Sequence, residues 1–377
     1  MFNNNMFLTI GETSTSSIQV FYTVGENGNG QLGINDLVTQ EYKVINDDSI
    51  WIDVAAGHSY SLFLKDDNTL WGCGSNNSGQ LGLSGGSNRL TPVQLTTGVS
   101  KVFSNHTGSA SFVVKTDGTL YSSGDNNFGQ LGINTTIDTF AFTRETTLGT
   151  TWSTGASGEN HSCFIKTDGT LHSTGYNFYG NLGVNDTTNR DEFTQESSLA
   201  TNWSKVSAGT WFSVAIKTDG TMYSVGTDQD GRTGQGTNGT TDLDEFTQIG
   251  TDTNWAEIAC GEKSVHAIKT DGTLWSWGDN SSGQLGHNDY VDRSTPTQVG
   301  ADTTWSKVYA GRFHVFALKT DGTVWACGSN FNNQIRPGST ADVRVFTKIE
   351  DQFKNWSKIV GGGGHSIYLT NSFQPKV

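Results

Sequence analysis

Short apolar runs recur along this chain in a fixed order of four phrases. The first phrase has the form W-x-x-V-x-x-G, the second is an apolar run that ends in lysine (SVAIK, VFALK), the third is T-L-W-x-x-G, and the fourth is a weaker F/P-T-x-V/I. Runs of this length and composition predict short β-strands, and no stretch has the period of about 3.6 residues of an amphipathic helix. The pattern therefore predicts an all-β protein with four strands in each unit.

The connections between these strands carry turn residues. The second strand joins the third through T-D-G-T, and Asp-Gly favours a hairpin because glycine accepts a positive φ without a Cβ clash. Pro92 and Pro296 fall on the fourth strand, and proline lacks the N–H that a central strand needs. The fourth strand is therefore predicted to be the outer edge of each unit.

The four-strand unit is repeated seven times. Its copies are marked by the glycines that end the third phrase, spaced 49 to 52 residues apart: Gly25, Gly74, Gly124, Gly175, Gly226, Gly278 and Gly328. The chain begins with a third strand, at 18–24, and ends with a first and a second strand, at 356–370, so the terminal strands should share one blade. Repeated four-stranded antiparallel sheets predict a seven-bladed β-propeller, closed by the N- and C-terminal strands.

This architecture makes residues 18–377 a single propeller domain and leaves residues 1–17 as an N-terminal segment. The segment contains the apolar stretch MFLTI at 6–10. We expect it to be a docking strand that attaches the propeller to a larger assembly. The alternative is a strand that completes an outer blade.

The repeated framework resembles the repeat of the regulator of chromosome condensation family. It consists of W-x-x-V-x-A-G, K-T-D-G-T-[L/V]-[W/Y]-x-x-G and N-x-x-G-Q-L-G; the last motif departs to GNLG at 180–183, GRTG at 231–234 and NQIR at 333–336. The resemblance covers about residues 18–370 and implies a seven-bladed propeller. It also implies several functions, because members include nuclear exchange factors for a small GTPase, signalling modules and secreted inhibitors of β-lactamases. The even spacing of the repeats leaves no room for the protruding wedge of the exchange factors, so we assign no catalytic residue to this chain from the resemblance.

Composition and charge narrow the expected partners. The net charge is −14 with 16% charged residues, which argues against nucleic acid because phosphate contacts need clustered Lys and Arg. Neither a signal peptide nor an apolar run of about 18 residues is recognisable, so we expect no membrane insertion. The four cysteines form no CxxC pair and are expected to be buried thiols.

Candidate binding residues come from the loop between the first and second strands. Ten of the eleven tryptophans fit the strand positions and are expected to pack the blades, whereas Trp211 lies in this loop. In a propeller these loops crowd around one mouth of the axial channel, so we expect a binding face there, formed by His58, Tyr60, His161, Trp211, Phe212, Arg312, Phe313, His314 and His365. Trp211 and Phe313 are expected to be exposed, and the alternative for each residue is packing between blades.

The histidines of this ring come from separate blades, which argues against a metal site, and no motif points to a cofactor or to catalysis. We therefore expect a non-enzymatic binding platform. Few Lys and Arg and many Asn, Thr, Ser and Gly resemble phage and bacterial display proteins. We expect a phage tail or capsid-associated protein, structural or host-recognising, located on the virion or an extracellular surface, or in the cytoplasm if it is not viral.

The partner is expected to be a virion component or a host surface protein, or a glycan. Two alternatives remain open from the resemblance. One is a guanine-nucleotide exchange regulator of a small GTPase. The other is a secreted inhibitor of the β-lactamase-binding type.

Overall fold

The computed structural model of the chain describes residues 21–37, 43–45, 49–104, 106–147, 149, 151–239, 241–349 and 356–370. Within these residues, 28 strands form seven separate four-stranded sheets, and the only helical element is a short 3-10 turn at Gln229–Gly231. The docking strand predicted within residues 1–17 lies outside the described residues. The all-β, seven-bladed prediction is confirmed.

The strands are short and evenly spaced along the chain. In chain order they are β1 (Phe21–Gly25), β2 (Lys43–Ile45), β3 (Trp51–Ala56), β4 (Tyr60–Lys65), β5 (Leu70–Gly74), β6 (Arg89–Thr96), β7 (Val99–Ser104), β8 (Ala110–Lys115), β9 (Leu120–Gly124), β10 (Thr139–Arg144), β11 (Trp152–Ser157), β12 (His161–Lys166), β13 (Leu171–Gly175), β14 (Arg190–Gln195), β15 (Trp203–Ala208), β16 (Phe212–Lys217), β17 (Met222–Gly226), β18 (Leu243–Gln248), β19 (Trp255–Cys260), β20 (Ser264–Lys269), β21 (Leu274–Gly278), β22 (Arg293–Gln298), β23 (Trp305–Ala310), β24 (His314–Lys319), β25 (Val324–Gly328), β26 (Val343–Lys348), β27 (Trp356–Gly361) and β28 (His365–Thr370).

Six blades are continuous in sequence, and one is shared between the two ends of the chain. Blades 1 to 6 begin at β3, β7, β11, β15, β19 and β23, and each contains four consecutive strands. Blade 7 has the order β2-β1-β28-β27, in which β1 pairs antiparallel with β28 from Phe21↔Leu369 to Gly25↔His365. The predicted closure of the ring by the terminal strands is therefore confirmed.

Five of the seven blades are packed around a tryptophan and a lysine. In blade 5, Trp255 meets Trp275 edge to face at 5.9 Å, and the Lys269 ammonium lies 4.6 Å and 3.9 Å from the two ring centroids. The second strand, β20, is buried along its whole length, as a central strand between two neighbours should be. The same landmark tryptophan is buried in blades 1, 3, 4 and 6, so the expected role of these residues in blade packing is confirmed.

The predicted T-D-G-T hairpins close through their own side chains. In blade 2, Asp117 Oδ1 accepts hydrogen bonds from the Thr119 backbone N–H at 3.0 Å and from its hydroxyl at 2.5 Å. Gly118 between them has φ +82°, a left-handed conformation that glycine adopts without strain. The two hydrogen bonds hold the pKa of the Asp117 carboxyl below its usual value.

Two further expectations concern burial and the membrane. All four cysteines are buried free thiols, as predicted, and burial raises the pKa of Cys163 and Cys260 to about 12. Over the part of the chain that the structure describes, no helix has the length and hydropathy needed to span a bilayer.

Candidate functional site

Two sets of loops emerge at the same end of the blades and form one face. The inner loops join the first strand of each blade to the second, and the outer loops join the third strand to the fourth. Backbone hydrogen bonds link them within a blade, for example from Tyr176 N–H to Asn160 O at 2.8 Å and from Thr227 N–H to Trp211 O at 3.0 Å. We call this surface the loop face; the T-D-G-T hairpins lie at the opposite end.

The inner loops are joined to one another around the propeller axis. Thr210 N–H donates to Glu262 O at 2.8 Å, Glu262 N–H to Arg312 O at 3.0 Å, and Arg312 N–H to Gly362 O at 3.1 Å. The innermost strands enclose an axial channel of about 350 Å³, and His106 from the inner loop of blade 2 lines it. The loop face therefore has a rigid centre that is supported by backbone hydrogen bonds from several blades.

Five of the candidate residues are completely buried: Tyr60, His161, Phe212, His314 and His365. Each is the first residue of a second strand, and four of them bond to the next blade. His161, His314 and His365 place Nε2 at 2.8 Å, 3.0 Å and 3.0 Å from the hydroxyl oxygens of Ser213, Ser366 and Ser61, and the Tyr60 hydroxyl donates to Ala110 O at 2.6 Å. Phe212 packs in the core cluster that contains Val265 and Trp277. These side chains join neighbouring blades, and they support the loop face from below.

The other four candidates, His58, Trp211, Arg312 and Phe313, are half-buried on the loop face. Arg312 forms a salt bridge with Glu262, and its guanidinium carbon lies 4.9 Å from the centroid of the Phe313 ring. Burial and the nearby Arg312 charge lower the pKa of His58. Trp211 and Phe313, which the sequence marked as exposed, are therefore partly accessible.

Trp211 belongs to a group of aromatic rings that sequence reasoning did not identify. Its ring is stacked on Tyr179 with centroids 5.1 Å apart, and Tyr176 lies 6.3 Å from it. Phe178 is 65% exposed and meets Tyr179 edge to face at 5.1 Å, while Phe128 meets Tyr176 at 5.0 Å. We call these five residues the aromatic patch; it spans the outer loops of blades 2 and 3 and the inner loop of blade 4.

A sequence signal for the aromatic patch did exist. The outer loops begin with the repeat phrase N-x-x-G, which reads NNSG at 76–79 and NSSG at 280–283 but NNFG at 126–129 and NFYG at 177–180. Aromatic residues thus replace small polar ones in two consecutive repeats. What the sequence lacked was the proximity of these loops to Trp211, which lies in a different blade.

The backbone of Trp211 has an unusual conformation. Its φ is +61°, a left-handed value that a bulky residue rarely adopts. The loop is fixed from both sides, because Thr210 O accepts a hydrogen bond from Arg232 Nη1 at 3.1 Å and Trp211 O accepts one from the Thr227 N–H. Strained conformations of this kind persist where the surroundings enforce them, and they concentrate at functional sites.

Arg232 is the residue that supports this loop from the core. It stands where most repeats carry the glutamine of G-Q-L-G, and its side chain is fully buried. Nε donates to Gln229 O at 2.6 Å, Nη2 forms a salt bridge with Asp230 at 2.6 Å, and the guanidinium carbon lies 5.8 Å from the Phe212 ring centroid. Blade 4 thus departs from the repeat motif at the position that holds the Trp211 loop.

Two carboxylates lie beside the aromatic patch. Asp125 is in the outer loop that carries Phe128, and burial raises its pKa, with a further contribution from Asp138. Glu159 is in the inner loop of blade 3 next to Thr210, and burial together with Glu262 raises its pKa. Within the described residues, no group of three or more His, Cys, Asp or Glu side chains could hold a metal ion.

Comparison with known proteins agrees with this architecture. A family model described as the regulator of chromosome condensation (RCC1) repeat matches residues 67–112 and 271–318, and a second model of the same description matches 51–80, 153–181, 255–284 and 305–334. The ultraviolet-B receptor UVR8 of Arabidopsis thaliana is 26% identical over 279 residues, which cover 72% of this chain and 51% of the receptor. The human E3 ubiquitin-protein ligase HERC2 is 28% identical over 139 residues, which cover 36% of this chain and 3% of the ligase. The chain thus spans about half the length of the receptor and a small part of the ligase.

Solved structures show the same fold. Human WBSCR16 superimposes with a TM-score of 0.83 at 19% identity, and the aligned residues make up 94% of this chain and 100% of the WBSCR16 chain. Yeast RCC1 (Prp20) also superimposes with a TM-score of 0.83, at 17% identity, and the aligned residues make up 100% of this chain and 97% of the yeast chain. These superpositions show the same seven-bladed fold, and the matches to the repeat models identify the chain as an RCC1-like repeat propeller.

Proposed function

We propose that this chain is a protein-binding platform that contacts its partner with the loop face, centred on the aromatic patch. The observation that carries the proposal is the cluster of five aromatic rings around Trp211 and Phe178, of which Phe178 is exposed and the other four are half-buried. Tyrosine and tryptophan are enriched among the residues that dominate binding energy at protein interfaces. The blades hold these rings on a rigid scaffold, so little ordering of the platform is needed when a partner binds.

The names of the relatives support a regulatory or binding role. The relative with the longest match described above is a receptor, and another relative is the protein RCC2 homolog of Danio rerio, at 32% identity over 129 residues. A related propeller, yeast RCC1 (Prp20), has been crystallised bound to the protein Kap60. These partners belong to those proteins; for this chain we propose the general mode, binding of protein by a propeller face.

A crosslinking experiment tests the proposal. A photo-reactive phenylalanine analogue placed at Phe178 should form a covalent adduct with a specific protein of the native host. The same analogue at Phe140, which is 37% exposed on the outer strand β10, is the matched control and should form no such adduct. The double variant Phe178→Ser with Trp211→Gly should lose the partner in a parallel affinity capture. If Phe140 and Phe178 gave the same adducts, or if the double variant retained the partner, the loop face would not be the binding surface.

The setting of this interaction stays a prediction. We propose a virion or extracellular surface location on the basis of the Asn-, Thr- and Gly-rich composition with few basic residues. Mass spectrometry of purified virions from the native host would test it, and absence of the chain from them would contradict it. A nucleotide-release assay with small GTPases tests the exchange-factor alternative, for which we expect no acceleration because the repeats lack a long insertion.

A further inference from the structure

We infer that the partner segment bound by the aromatic patch is cationic and presents arginine or lysine side chains to the rings. This inference rests on the proposed function and names the chemistry of the partner. Three features of the described residues lead to it: the rings, the carboxylates beside them and the way in which the chain already uses cations.

The faces of tyrosine and tryptophan rings attract cations that lie within about 6 Å of the ring centroid. In the aromatic patch, Tyr179 and Trp211 are nearly parallel, with an interplanar angle of 29°. Phe178 stands at 87° to Tyr179 and is 65% exposed. Rings of several orientations, one of them largely exposed and the others half-buried, therefore meet at one surface.

Contacts between a cation and an aromatic ring also occur inside the blades, between residues of this chain. In six blades the lysine that ends the second strand lies over a tryptophan or a tyrosine: Lys65, Lys115, Lys166, Lys217, Lys269 and Lys319. On the aromatic patch, by contrast, no lysine or arginine among the described residues lies over a ring. A cation there must therefore come from another molecule.

The charge beside the aromatic patch is negative and poorly compensated. Asp125 accepts hydrogen bonds from neutral amides, the Asn127 and Gln130 side chains, at 2.5 Å and 2.9 Å. Its neighbour Asp138 raises its pKa rather than lowering it. Burial and the acidic neighbour Glu262 raise the pKa of Glu159, although a hydrogen bond with Thr210 and the charge of Arg312 partly oppose this rise. Among the described residues neither Asp125 nor Glu159 forms a salt bridge, so an incoming cation would supply the missing countercharge.

The net charge of the chain extends this effect beyond contact distance. At −14, the chain attracts cationic segments and repels anionic ones, and salt screens this attraction over about 8–10 Å. Apolar peptides would gain contact with the rings but nothing from the carboxylates. A cationic segment gains both contributions, which is why the observations favour it over a neutral or acidic one.

Calorimetric titration with two defined peptides tests the inference. The probe is the acetylated, amidated peptide GRGRGRG, and its control carries citrulline in place of each arginine, which keeps the shape and removes the charge. We expect the full-length protein to bind the arginine peptide at least about tenfold more tightly than the citrulline peptide, and binding to weaken as NaCl is raised. Equal binding of the two peptides, or no binding of either, would overturn the inference.

Matched variants show whether the aromatic patch is the site. Trp211→Leu and the pair Asp125→Asn with Glu159→Gln should each weaken binding of the arginine peptide by about fivefold or more. The control pair Glu192→Gln with Glu245→Gln removes the same charge from exposed positions on the outer strands β14 and β18 and should bind like the parent protein. Equal weakening by the two charge pairs would mean that only net charge matters, and the inference would fall.

The charge pair also separates this inference from the proposed function. If the Asp125→Asn and Glu159→Gln protein still crosslinks its native partner through position 178 as strongly as the parent does, the loop face binds a partner that is not cationic. In that case the proposed function stands and the inference is wrong. If the protein that carries the photo-reactive residue at position 178 and no other change forms no crosslink, the proposed function itself fails.

Discussion

Four fully buried histidines should make the stability of the propeller sensitive to mild acid. His161, His314 and His365 contact serines of the next blade, and His266 Nε2 lies 2.9 Å from Gln284 O. Burial lowers the pKa of His161 and His266 to about 4, and that of His314 and His365 to about 3. In an unfolded chain the pKa of histidine is about 6.5.

A histidine whose pKa is lowered by folding binds its proton first in the unfolded chain. The folded state therefore has its full stability above about pH 6.5 and loses it as the pH falls toward the folded pKa. Each histidine contributes up to about 1.4 kcal/mol per pH unit, or about 2 kcal/mol between pH 7 and pH 5. Four together give about 8 kcal/mol, which is comparable to the whole stability of a typical domain.

Urea unfolding followed by tryptophan fluorescence, repeated between about pH 7 and pH 5, measures this loss. Carboxylates such as Asp117, whose pKa lies below its usual value, change the free energy of unfolding only at lower pH. The change between pH 7 and pH 5 therefore comes mainly from the histidines. The raised pKa values of Asp125 and Glu159 act with the opposite sign and are small in comparison. The variant His365→Gln should reduce the pH slope by about one proton. A free energy of unfolding that stayed constant from pH 7 to pH 5 would refute the reasoning.

Three further predictions concern single side chains. Trp211→Gly and Trp211→Ala both remove the ring, but only glycine relaxes the left-handed backbone, so the glycine variant should be more stable by about 1 kcal/mol in urea unfolding; equal stabilities would show that the residue carries no strain. Arg232→Leu should lower the free energy of unfolding by about 2–3 kcal/mol. The loss is smaller than for breaking a fully buried ion pair, because Asp230 is 25% exposed and Lys263 lies 3.9 Å from its carboxylate. An unchanged urea midpoint would contradict the supporting role of Arg232. Gly124→Ala should lower the free energy of unfolding by about 2 kcal/mol or more, since the added Cβ would lie 2.1 Å from Ser109 O. Gly98→Ala, with open space around it, should lower it by only about 1 kcal/mol. Similar losses of stability at both positions would argue against the clash.

The regular part of the fold could be predicted from the sequence because each blade is specified locally. The landmark Trp255, the lysine that ends the second strand and the aromatic residue of the third strand recur at fixed spacing, so their contact in one blade implies it in the others. The closing blade followed from counting which strands are present at the two termini. Local turn chemistry, as in the T-D-G-T hairpins, set the strand order.

The candidate site was predicted only in part. The sequence identified the inner loops, but our prediction grouped His161, which is buried between blades, with Arg312, which is half-buried on the loop face. The difference follows the position in the repeat, because each buried candidate is the first residue of a second strand and the others precede that residue in the loop. Phe128 was missed because its packing on Tyr176 crosses a blade boundary, and Phe178 because the neighbouring Tyr179 ring stacks on Trp211 of the next blade.

The all-β class, the seven blades and the closure of the ring could be predicted from the sequence, since each depends on residues close together in the chain or on a simple count. The composition of the aromatic patch became known only from the folded molecule. The aromatic patch joins Phe128, Tyr176 and Trp211, which belong to three blades and depart from the repeat, so no periodic pattern encodes it. Arg232 and Trp211 depart from the repeat, and their roles follow from contacts with the Thr210 carbonyl in the same blade and with Tyr179 of the neighbouring blade.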